Sequence, residues 1–350
     1  MQCFSIWYKG ATGKAVTELD PTPIIKLHVN LWDFPLNEQR SYSGPSLDIG
    51  IEIQNFNNLD ELKCYIPVPY ESSCIEDLTP KLQQSNIADL IFNTYCTCIS
   101  KEAFAILEKE KTQFLLCPVQ VNESAVYETS ITAELDMICI TIHCNKISAN
   151  PVYQGSNLSN LYCRFRVHSD NIPNLLFNKI RKNSDWFLVS GHIERKIVDL
   201  RINRERDIDS TLNKNLRGQH FELAKLKQVN FLIMEPVSNE ITSTEGEDMA
   251  SRIVETGWEE YLDCSEKVRQ NLRNHNIMAY HWKQETGHHS YSKTVRITEY
   301  KSTLCMIIVY MLIILIIGVV GSLIASYCFQ WLNTSSPAMM PSPTETPPSF

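Results

Sequence analysis

The most constraining feature of this sequence is a run of 26 residues near its C-terminal end without a charged side chain. The run occupies residues 304–329, and fourteen positions between Leu304 and Ile324 are Leu, Ile or Val. About 20 apolar residues suffice to cross a hydrocarbon core roughly 30 Å thick. On an insertion scale these fourteen side chains contribute on the order of −4 to −8 kcal/mol. A buried core helix is the alternative, but such helices rarely stay uncharged for this length. The run therefore predicts one transmembrane helix.

Charged residues beside this helix predict its orientation. Lys293, Arg296 and Lys301 precede the span, and no Lys or Arg follows it. Because basic flanking residues stay on the cytoplasmic side, the part before the helix is expected in the cytoplasm. Residues 333–350, a proline-containing tail without periodicity, are then expected outside and disordered. The first 20 residues carry no signal-peptide pattern. The sequence thus predicts a single-pass membrane protein with a cytoplasmic N-terminal part.

Small residues line one face of the predicted span. They recur at intervals of four, in the pairs Gly318 with Ser322, Gly321 with Ala325, and Ser322 with Ser326. Such spacing places them on one side of a helix, where close backbone approach permits helix association in lipid. The alternative is that Gly and Ser are simply common in membrane spans. The stripe predicts a homo-oligomer formed through the transmembrane helix within the lipid bilayer.

Composition limits the partners of the part expected in the cytoplasm. This part, which precedes the predicted span, holds 39 acidic and 32 basic residues, and the whole chain has a formal net charge of −8. Phosphate backbones are bound by basic surfaces, so direct nucleic acid binding is not expected. The 12 cysteines are scattered, and without a secretory signal they are typical of reduced, buried thiols.

Antiparallel strands dominate the predicted secondary structure. From Leu47 to Gln54, apolar residues alternate with polar ones, which is the pattern of a half-buried strand with a solvated charged face. Further strands are expected at residues 24–34, 62–68, 134–143, 161–167 and 193–202. The predicted fold class is α+β: a β-rich antiparallel cytoplasmic part with a few helices, followed by one C-terminal transmembrane helix.

Helices are expected at three places. Thr79 and Pro80 resemble an N-cap followed by proline at the first helical position, and an apolar stripe continues to Ile91. A second helix is predicted over residues 101–111. A third helix would place five residues on one face: Met249, Ile253, Trp258, Tyr261 and Leu262.

Domain boundaries are soft. Residues 1–145 are predicted to form a β-rich domain, and residues 160–300 either an α+β domain or a continuation of the first. Residues 276–282 and 291–300 are expected to form a hairpin around Gly-His-His-Ser. The last strand would enter the span after only residues 301–303. Because flexible tethers are longer and richer in Gly or Ser, this short join predicts that domain movement reaches the helix.

Catalytic patterns in the sequence are weak. Two sets of two acids and one lysine match the loose pattern of metal-dependent nucleases: Asp185, Glu194 and Lys196, and Asp48, Glu61 and Lys63. Two independent matches show how little the pattern discriminates, and solvated strand-face charges explain both. Residues 10–14 lack the full spacing of a phosphate loop. No catalytic residue is predicted, and the protein is expected not to be an enzyme.

Metal and cofactor sites are not predicted either. Cys96 and Cys98 lack a second pair of ligands, and His143 beside Cys144 is a single candidate. A zinc site requires four convergent ligands, usually announced by paired spacings. Buried, reduced cysteine is the interpretation that remains. We expect no metal and no cofactor.

Three segments carry a resemblance to other proteins. They are residues 47–70 (LDIGIEIQNFNNLDELKCYIPVPY), 75–82 (IEDLTPKL) and 278–285 (MAYHWKQE). Together they resemble uncharacterised single-span membrane proteins of bacterial anti-phage defence operons, such as retron or cyclic-nucleotide-based systems. The resemblance rests on strand patterns and transfers no functional residue. It implies a cytoplasmic sensing domain, a membrane effector helix in the inner membrane, and a protein partner encoded in the same operon.

Three functional hypotheses follow. The first is a non-enzymatic membrane effector whose helices disrupt the inner membrane on oligomerisation or release, when the cytoplasmic domain senses infection or binds partner components. The second is a tail-anchored scaffold that recruits a cytoplasmic partner to the membrane. The third is a membrane-tethered metal-dependent nuclease or hydrolase built on Asp185, Glu194 and Lys196.

Overall fold

A computed structural model describes residues 3–11, 21–36, 44–71, 74–101, 104–119, 128–153, 158–179, 193–243, 249–285, 289–300 and 304–334. The chain divides into two compact units, Met1–Glu299 and Tyr300–Phe350. The first unit contains nearly all the strands and the short helices. The second contains the long apolar helix.

Strands of the first unit form three sheets. In chain order they are β1 (Ser5–Gly10), β2 (Ile24–Trp32), β3 (Ser46–Gln54), β4 (Leu59–Ile66), β5 (Ile75–Asp77), β6 (Cys96–Ser100), β7 (Ala105–Lys109), β8 (Thr112–Leu116), β9 (Thr129–Glu134), β10 (Met137–Ile142), β11 (Asn160–His168), β12 (Phe177–Lys179), β13 (Ile193–Ile202), β14 (Glu222–Leu223), β15 (Leu226–Pro236), β16 (Glu240–Ser243), β17 (Met249–Ile253), β18 (Ile277–Glu285) and β19 (Tyr291–Tyr300). The helices are α1 (Thr79–Leu82), α2 (Ser85–Phe92), α3 (Cys144–Ala149), α4 (Ile172–Leu176), α5 (Ser210–Gly218), α6 (Trp258–Leu262), α7 (Glu266–Arg273) and α8 (Leu304–Thr334).

A ten-stranded sheet forms the centre of this unit. Its order is β17-β18-β15-β2-β3-β11-β8-β7-β6, with β5 paired to β11; a five-stranded sheet has the order β14-β1-β4-β10-β9, and a four-stranded sheet β12-β13-β19-β16. Most pairs are antiparallel, while β15 with β2 and β11 with β8 are parallel. The predicted fold class, β-rich and antiparallel with a few helices and a C-terminal apolar helix, is confirmed.

Strands from residues 1–145 and from residues 160–300, the two segments predicted as separate or continuous domains, pair within the same sheets. β1 pairs with β14, and β2 pairs with β15 over eight residue positions. One large apolar cluster, the inner core, contains side chains from all three sheets, including Leu27, Ile140 and Val295. The ten-stranded sheet therefore packs one face, the inner face, against the other two sheets.

The alternating strand β3 is buried on both of its faces. Ile49 and Ile51 point into the inner core, as the alternation predicts. Asp48 and Glu52, on the opposite face, are only 0% and 1% exposed. The prediction of a half-buried strand with a solvated charged face is wrong, because α6 covers Asp48 and the side chains of Lys26 and Lys109 cover Glu52. Alternation reports that two faces differ in polarity, and it does not report whether the polar face reaches water.

Two helix predictions are wrong in whole or in part. Within the helix predicted at residues 101–111, Ala105–Lys109 form β7, which makes a hairpin with β8 through Glu110 and Lys111, both at positive φ. Glu, Lys and Ala favour helix locally, but Ala105 and Leu107 are buried in one apolar cluster and Ile106 is buried in the inner core, so packing on both faces of the strand overrides propensity. The helix predicted through Met249 begins only at Trp258. Residues 249–253 instead pair with β18 as β17.

The helix predicted from Thr79 to Ile91 divides into α1 and α2, and Thr79 lies inside α1 rather than capping it. The hairpin predicted for residues 276–300 is also wrong. β18 pairs with β15 and β17, whereas β19 pairs with β16 in the four-stranded sheet. Trp282 and Val295 both enter the inner core, which lies between the sheets. The connection therefore joins strands of two packed sheets.

The second unit contains one helix that is long and apolar enough to cross a membrane. Within α8, residues Ile308–Leu332 have a mean hydropathy of 2.9, and none of this window is buried. Among the described residues no other helix meets these criteria. The helix is consistent with single-pass membrane anchoring. The join at residues 301–303 and most of the predicted tail lie outside the described residues.

Candidate functional site

The outer face of the ten-stranded sheet, opposite its inner face, carries the polar residues of β2, β3, β11, β15 and β18. Helices cover parts of it through two apolar clusters, one around Trp32 and Trp258 and one around Leu107 and Tyr162. Where these helices do not cover it, the outer face lines a cavity of about 510 Å³. Cavities of this size commonly hold small molecules.

A buried charge network anchors α6 to this outer face. Asp48 accepts hydrogen bonds from Arg166 at 2.5 and 3.0 Å, from the Tyr261 hydroxyl at 2.6 Å and from the Trp32 indole at 2.8 Å. Arg164 donates to the Tyr261 hydroxyl at 2.7 Å. Burial would raise the pKa of Asp48, but the two guanidinium groups outweigh it and hold that pKa below its usual value. This network is structural, because every member is already satisfied by another.

The floor of the cavity is built from side chains in register on neighbouring strands. Lys283, Asn230 and His28 are directly paired across β18, β15 and β2, and the next residue in this row is Gly50 on β3. Strands lie about 4.8 Å apart, so such a row places polar groups side by side. The C-terminal end of α2, with Phe92, forms a wall of the cavity.

Two cations in the cavity share one buried carboxylate. Glu52 accepts from Lys26 at 2.8 Å and from Lys109 at 2.9 Å. Burial would raise the pKa of Glu52, but the neighbouring ammonium groups hold it below its usual value. Lys109 also lies 4.7 Å from the centre of the Phe92 ring. Glu52 therefore binds two positive charges within the cavity.

Two histidines of the cavity have buried ring nitrogens without a hydrogen-bond partner among the described residues. They are Nε2 of His28 and Nε2 of His281. The Asn230 amide donates to Nδ1 of His28 at 3.4 Å, so the ring proton of neutral His28 lies on Nε2. Burial, and then the charges of Arg164 and Lys109, lower the pKa of His28 to about 3. The pKa of His281 is lowered by burial and by Arg252. Both rings are therefore neutral hydrogen-bond donors or acceptors in a positive field.

The nuclease candidates occupy unrelated surroundings. Asp185 lies outside the described residues, and Glu194 is described only as a position on β13. Lys196 forms ion pairs with Asp33 and Glu299, and its ammonium lies 3.4 Å from Glu235. Burial and the charge of Asp33 raise the pKa of Glu235. Lys196 thus compensates the charge of a group of carboxyls that other parts of the chain supply.

The second nuclease match is dispersed. Asp48 belongs to the network under α6, on the ten-stranded sheet. Glu61 and Lys63 lie on β4 of the five-stranded sheet, where they pair with His143 at 3.2 Å and Glu134 at 3.5 Å. The loose spacing therefore does not converge in space, and these charges are not all solvated as predicted. Asp48 is fully buried because a pair of arginines compensates it.

The candidate metal ligands do not converge within the described residues. Cys96 is buried on β6, Cys98 is partly buried on the same strand, and Cys144 is buried on α3. His143 is engaged by Glu61 and by Ser130. No group of three His, Cys, Asp or Glu side chains suited to a metal ion is found in the parts of the chain described here. The eleven cysteines with described side chains are free thiols, nine of them buried.

The predicted flanking charges differ in exposure. Lys293 is 1% exposed, with its ammonium 5.7 Å from the centre of the Trp282 ring. Arg296 is exposed on β19, and Lys301 lies outside the described residues.

The predicted helix-association face is open in this chain. A side-chain carbon added to Gly318 or Gly321 would meet no atom within 4 Å. The other three residues of the face are also exposed: Ser322, Ala325 and Ser326.

The cavity was not predicted from the sequence. A signal existed in the strands, because polar residues alternate with apolar ones on several of them and carry opposite charges on paired strands. Glu52 on β3 is directly paired with Lys26 on β2. Recognising this signal requires the strand register, which the sequence alone does not provide.

Comparisons with known proteins do not assign a family. No protein-family model matches the chain, and no curated protein matches it. Among solved structures, the chain is similar to the Fcho1 Mu homology domain from Danio rerio with bound Eps15 peptide. The similarity covers 80% of this chain and 79% of that one, at 8% sequence identity and a TM-score of 0.14. A TM-score this low carries no argument about fold or function.

Proposed function

We propose that this protein is a non-enzymatic membrane effector of a bacterial anti-phage system, with α8 in the inner membrane and the β-rich unit in the cytoplasm. The β-rich unit receives a signal of infection, through a ligand or an operon-encoded partner. Its response lets α8 helices associate through the face of small residues and compromise the membrane. The anti-phage setting is taken from the resemblance of residues 47–70, 75–82 and 278–285 to such proteins.

The observation that carries this proposal is the exposure of α8. None of the window Ile308–Leu332 is buried and its mean hydropathy is 2.9, so it requires lipid or another helix around it. Gly318 and Gly321 leave an open face at which a second helix backbone can approach closely. The orientation is supported by basic residues before the helix and none after it.

A test compares helix variants in bacteria that carry the chain with its neighbouring genes. Gly318→Ile with Ser322→Ile adds bulk to the small-residue face, and Val320→Ile with Leu323→Ile changes the opposite face as a matched control. During phage challenge we expect loss of membrane potential and dye entry with the wild-type chain and the control, but not with the Gly318/Ser322 variant. Membrane integrity that is unchanged in all three strains would refute the effector role.

A second candidate, the tail-anchored scaffold, is favoured by one edge of the ten-stranded sheet. Among the described strands, β17 lies at one edge of the ten-stranded sheet, and its Met249 and Ile253 are 38% and 50% exposed. Exposed edge strands can accept a strand from a partner protein. Replacing α8 by an unrelated membrane span separates the candidates. A scaffold keeps its protective activity after this replacement, whereas an effector helix loses it.

A further inference from the structure

The cavity on the outer face has an excess of positive charge in a protein that is acidic overall. Four basic side chains line it, Lys26, Lys109, Arg252 and Lys283, against two acidic ones, Glu52 and Glu110. The chain as a whole has a net charge of −8. A concave site of one sign concentrates ligands of the opposite sign. The charge balance therefore favours an anion.

Buried donors at the floor of the cavity point to the same ligand class. His28 is only 8% exposed, and its protonated Nε2 has no hydrogen-bond partner among the described residues. Nε2 of His281 is equally unpaired. A buried polar group without a partner is unfavourable, and a hydrogen bond from or to a ligand would remove that cost. The fold thus holds polar groups at the cavity that no described side chain satisfies.

Basic residues at the mouth are available to a ligand. Arg252 contacts Glu255 at 3.2 Å and donates a hydrogen bond to Asn93 at 2.8 Å, and Lys283 contacts Glu285 at 3.7 Å; the two basic side chains are 36% and 53% exposed. Exposed contacts of this kind are weak because water competes for both partners, so an anion can replace them. Lys26 and Lys109, in contrast, are already held by buried Glu52.

We infer that this cavity binds a small organic phosphate. The phosphate would be held by Arg252, His281 and Lys283, on the neighbouring strands β17 and β18. The organic part would lie against the Phe92 ring and the amides of Gln228 and Asn230, which offer both apolar surface and hydrogen bonds. A phosphate is favoured over a single carboxylate because its greater charge and additional oxygens match this number of cations and N–H donors. The inference rests on the proposed function in taking the β-rich unit as the part that receives a signal.

The test measures binding to the purified full-length chain in detergent by calorimetry. The probes are AMP, glucose 6-phosphate, inorganic phosphate and citrate. We expect at least one organic phosphate to bind the wild-type chain. Arg252→Gln with Lys283→Gln should weaken that binding at least tenfold. Lys214→Gln removes an exposed cation of α5, a helix that packs against Trp7 and Tyr65 of the five-stranded sheet and does not line the cavity, so it should leave binding unchanged.

A second variant guards against loss of folding. Ala250 is exposed on the edge strand β17 and lines the cavity, so Ala250→Leu fills space without entering the core. It should also abolish binding while retaining the wild-type thermal unfolding temperature. Equal binding by wild type and all cavity variants, binding of citrate or inorganic phosphate alone, or no binding of any probe would overturn the inference.

Binding is also measured on the Gly318→Ile/Ser322→Ile chain, so that the two proposals fail separately. Organic phosphate binding without any membrane effect in cells would refute the effector function alone. A membrane effect during phage challenge without binding of any probe would refute the phosphate site alone.

Discussion

Asp48 is the residue whose replacement should reveal most directly how the outer face is held together. Its two oxygens accept four hydrogen bonds, two from Arg166 and one each from Tyr261 and Trp32. Asp48→Asn keeps the shape but removes the charge, and its amide NH₂ group faces donors. Arg164 and Arg166, both 0% exposed, would remain without their shared carboxylate. Breaking a buried ion pair by removing one partner costs about 3–5 kcal/mol.

Thermal unfolding of the full-length chain in detergent measures this cost. For a unit of this size, about 1 kcal/mol lowers the unfolding temperature by roughly 2 °C, so we expect a decrease of roughly 6–10 °C. Tryptophan fluorescence is a suitable signal because Trp32 belongs to the network. Glu205→Gln is the matched control, since Glu205 pairs with Arg217 at 2.7 Å but both are more than half exposed. If Asp48→Asn lowers the unfolding temperature no more than Glu205→Gln does, the network does not stabilise the fold as argued.

Three further changes test other parts of the structure by the same unfolding measurement. Gly50→Ala would place a methyl group on the Tyr162 hydroxyl, which is fixed in a buried position, and should cost about 1–3 kcal/mol; an unchanged unfolding temperature would contradict the packing of this row. The folded state holds a proton on Glu235 that the unfolded chain releases, so its contribution to stability is greatest below the ordinary glutamate pKa and falls as pH rises toward the raised one. The Glu235→Gln variant should therefore lose less stability than the wild type between pH 6 and pH 9. If the unfolding temperature falls equally with pH in both proteins, burial and Asp33 do not keep this proton on Glu235. Asp209 caps α5 by accepting hydrogen bonds from two backbone N–H groups at 2.8 and 3.0 Å. Asp209→Ala should lower the free energy of unfolding by about 1 kcal/mol, and an unchanged unfolding temperature would contradict this expectation.

Strand positions were predicted better than strand partners. The strand at residues 193–202 has the predicted bounds, the strand predicted at 47–54 begins one residue earlier, and the strand predicted at 161–167 is one residue longer at each end. Alternation of side chains is a local property of the chain, so periodicity finds it. The hairpin expected for residues 276–300 failed because each strand pairs with strands distant in sequence. Helix propensity failed at residues 105–109 for a related reason, since burial on a sheet outweighs a few tenths of a kcal/mol per residue.

The candidate site was hidden for the same reason. His28, Asn230 and Lys283 lie 202 and 53 positions apart in the chain, and only the register of β2, β15 and β18 makes them neighbours. The polar residues of these strands had no identified partners in the sequence, and solvation was the simplest explanation for them. In the structure His28, which contacts Phe92 of α2, and Asn230 are buried, whereas Lys283 stays exposed.

The sequence by itself determined that the chain carries an apolar helix able to cross a membrane and a β-rich unit before it. Hydropathy and alternation suffice for these conclusions, because both are sums over neighbouring residues. Tertiary structure decided which charges are buried, which of them compensate one another, and where the outer face stays uncovered. These properties depend on contacts between strands far apart in the sequence, and the energy of a charge depends on the partners and the water around it.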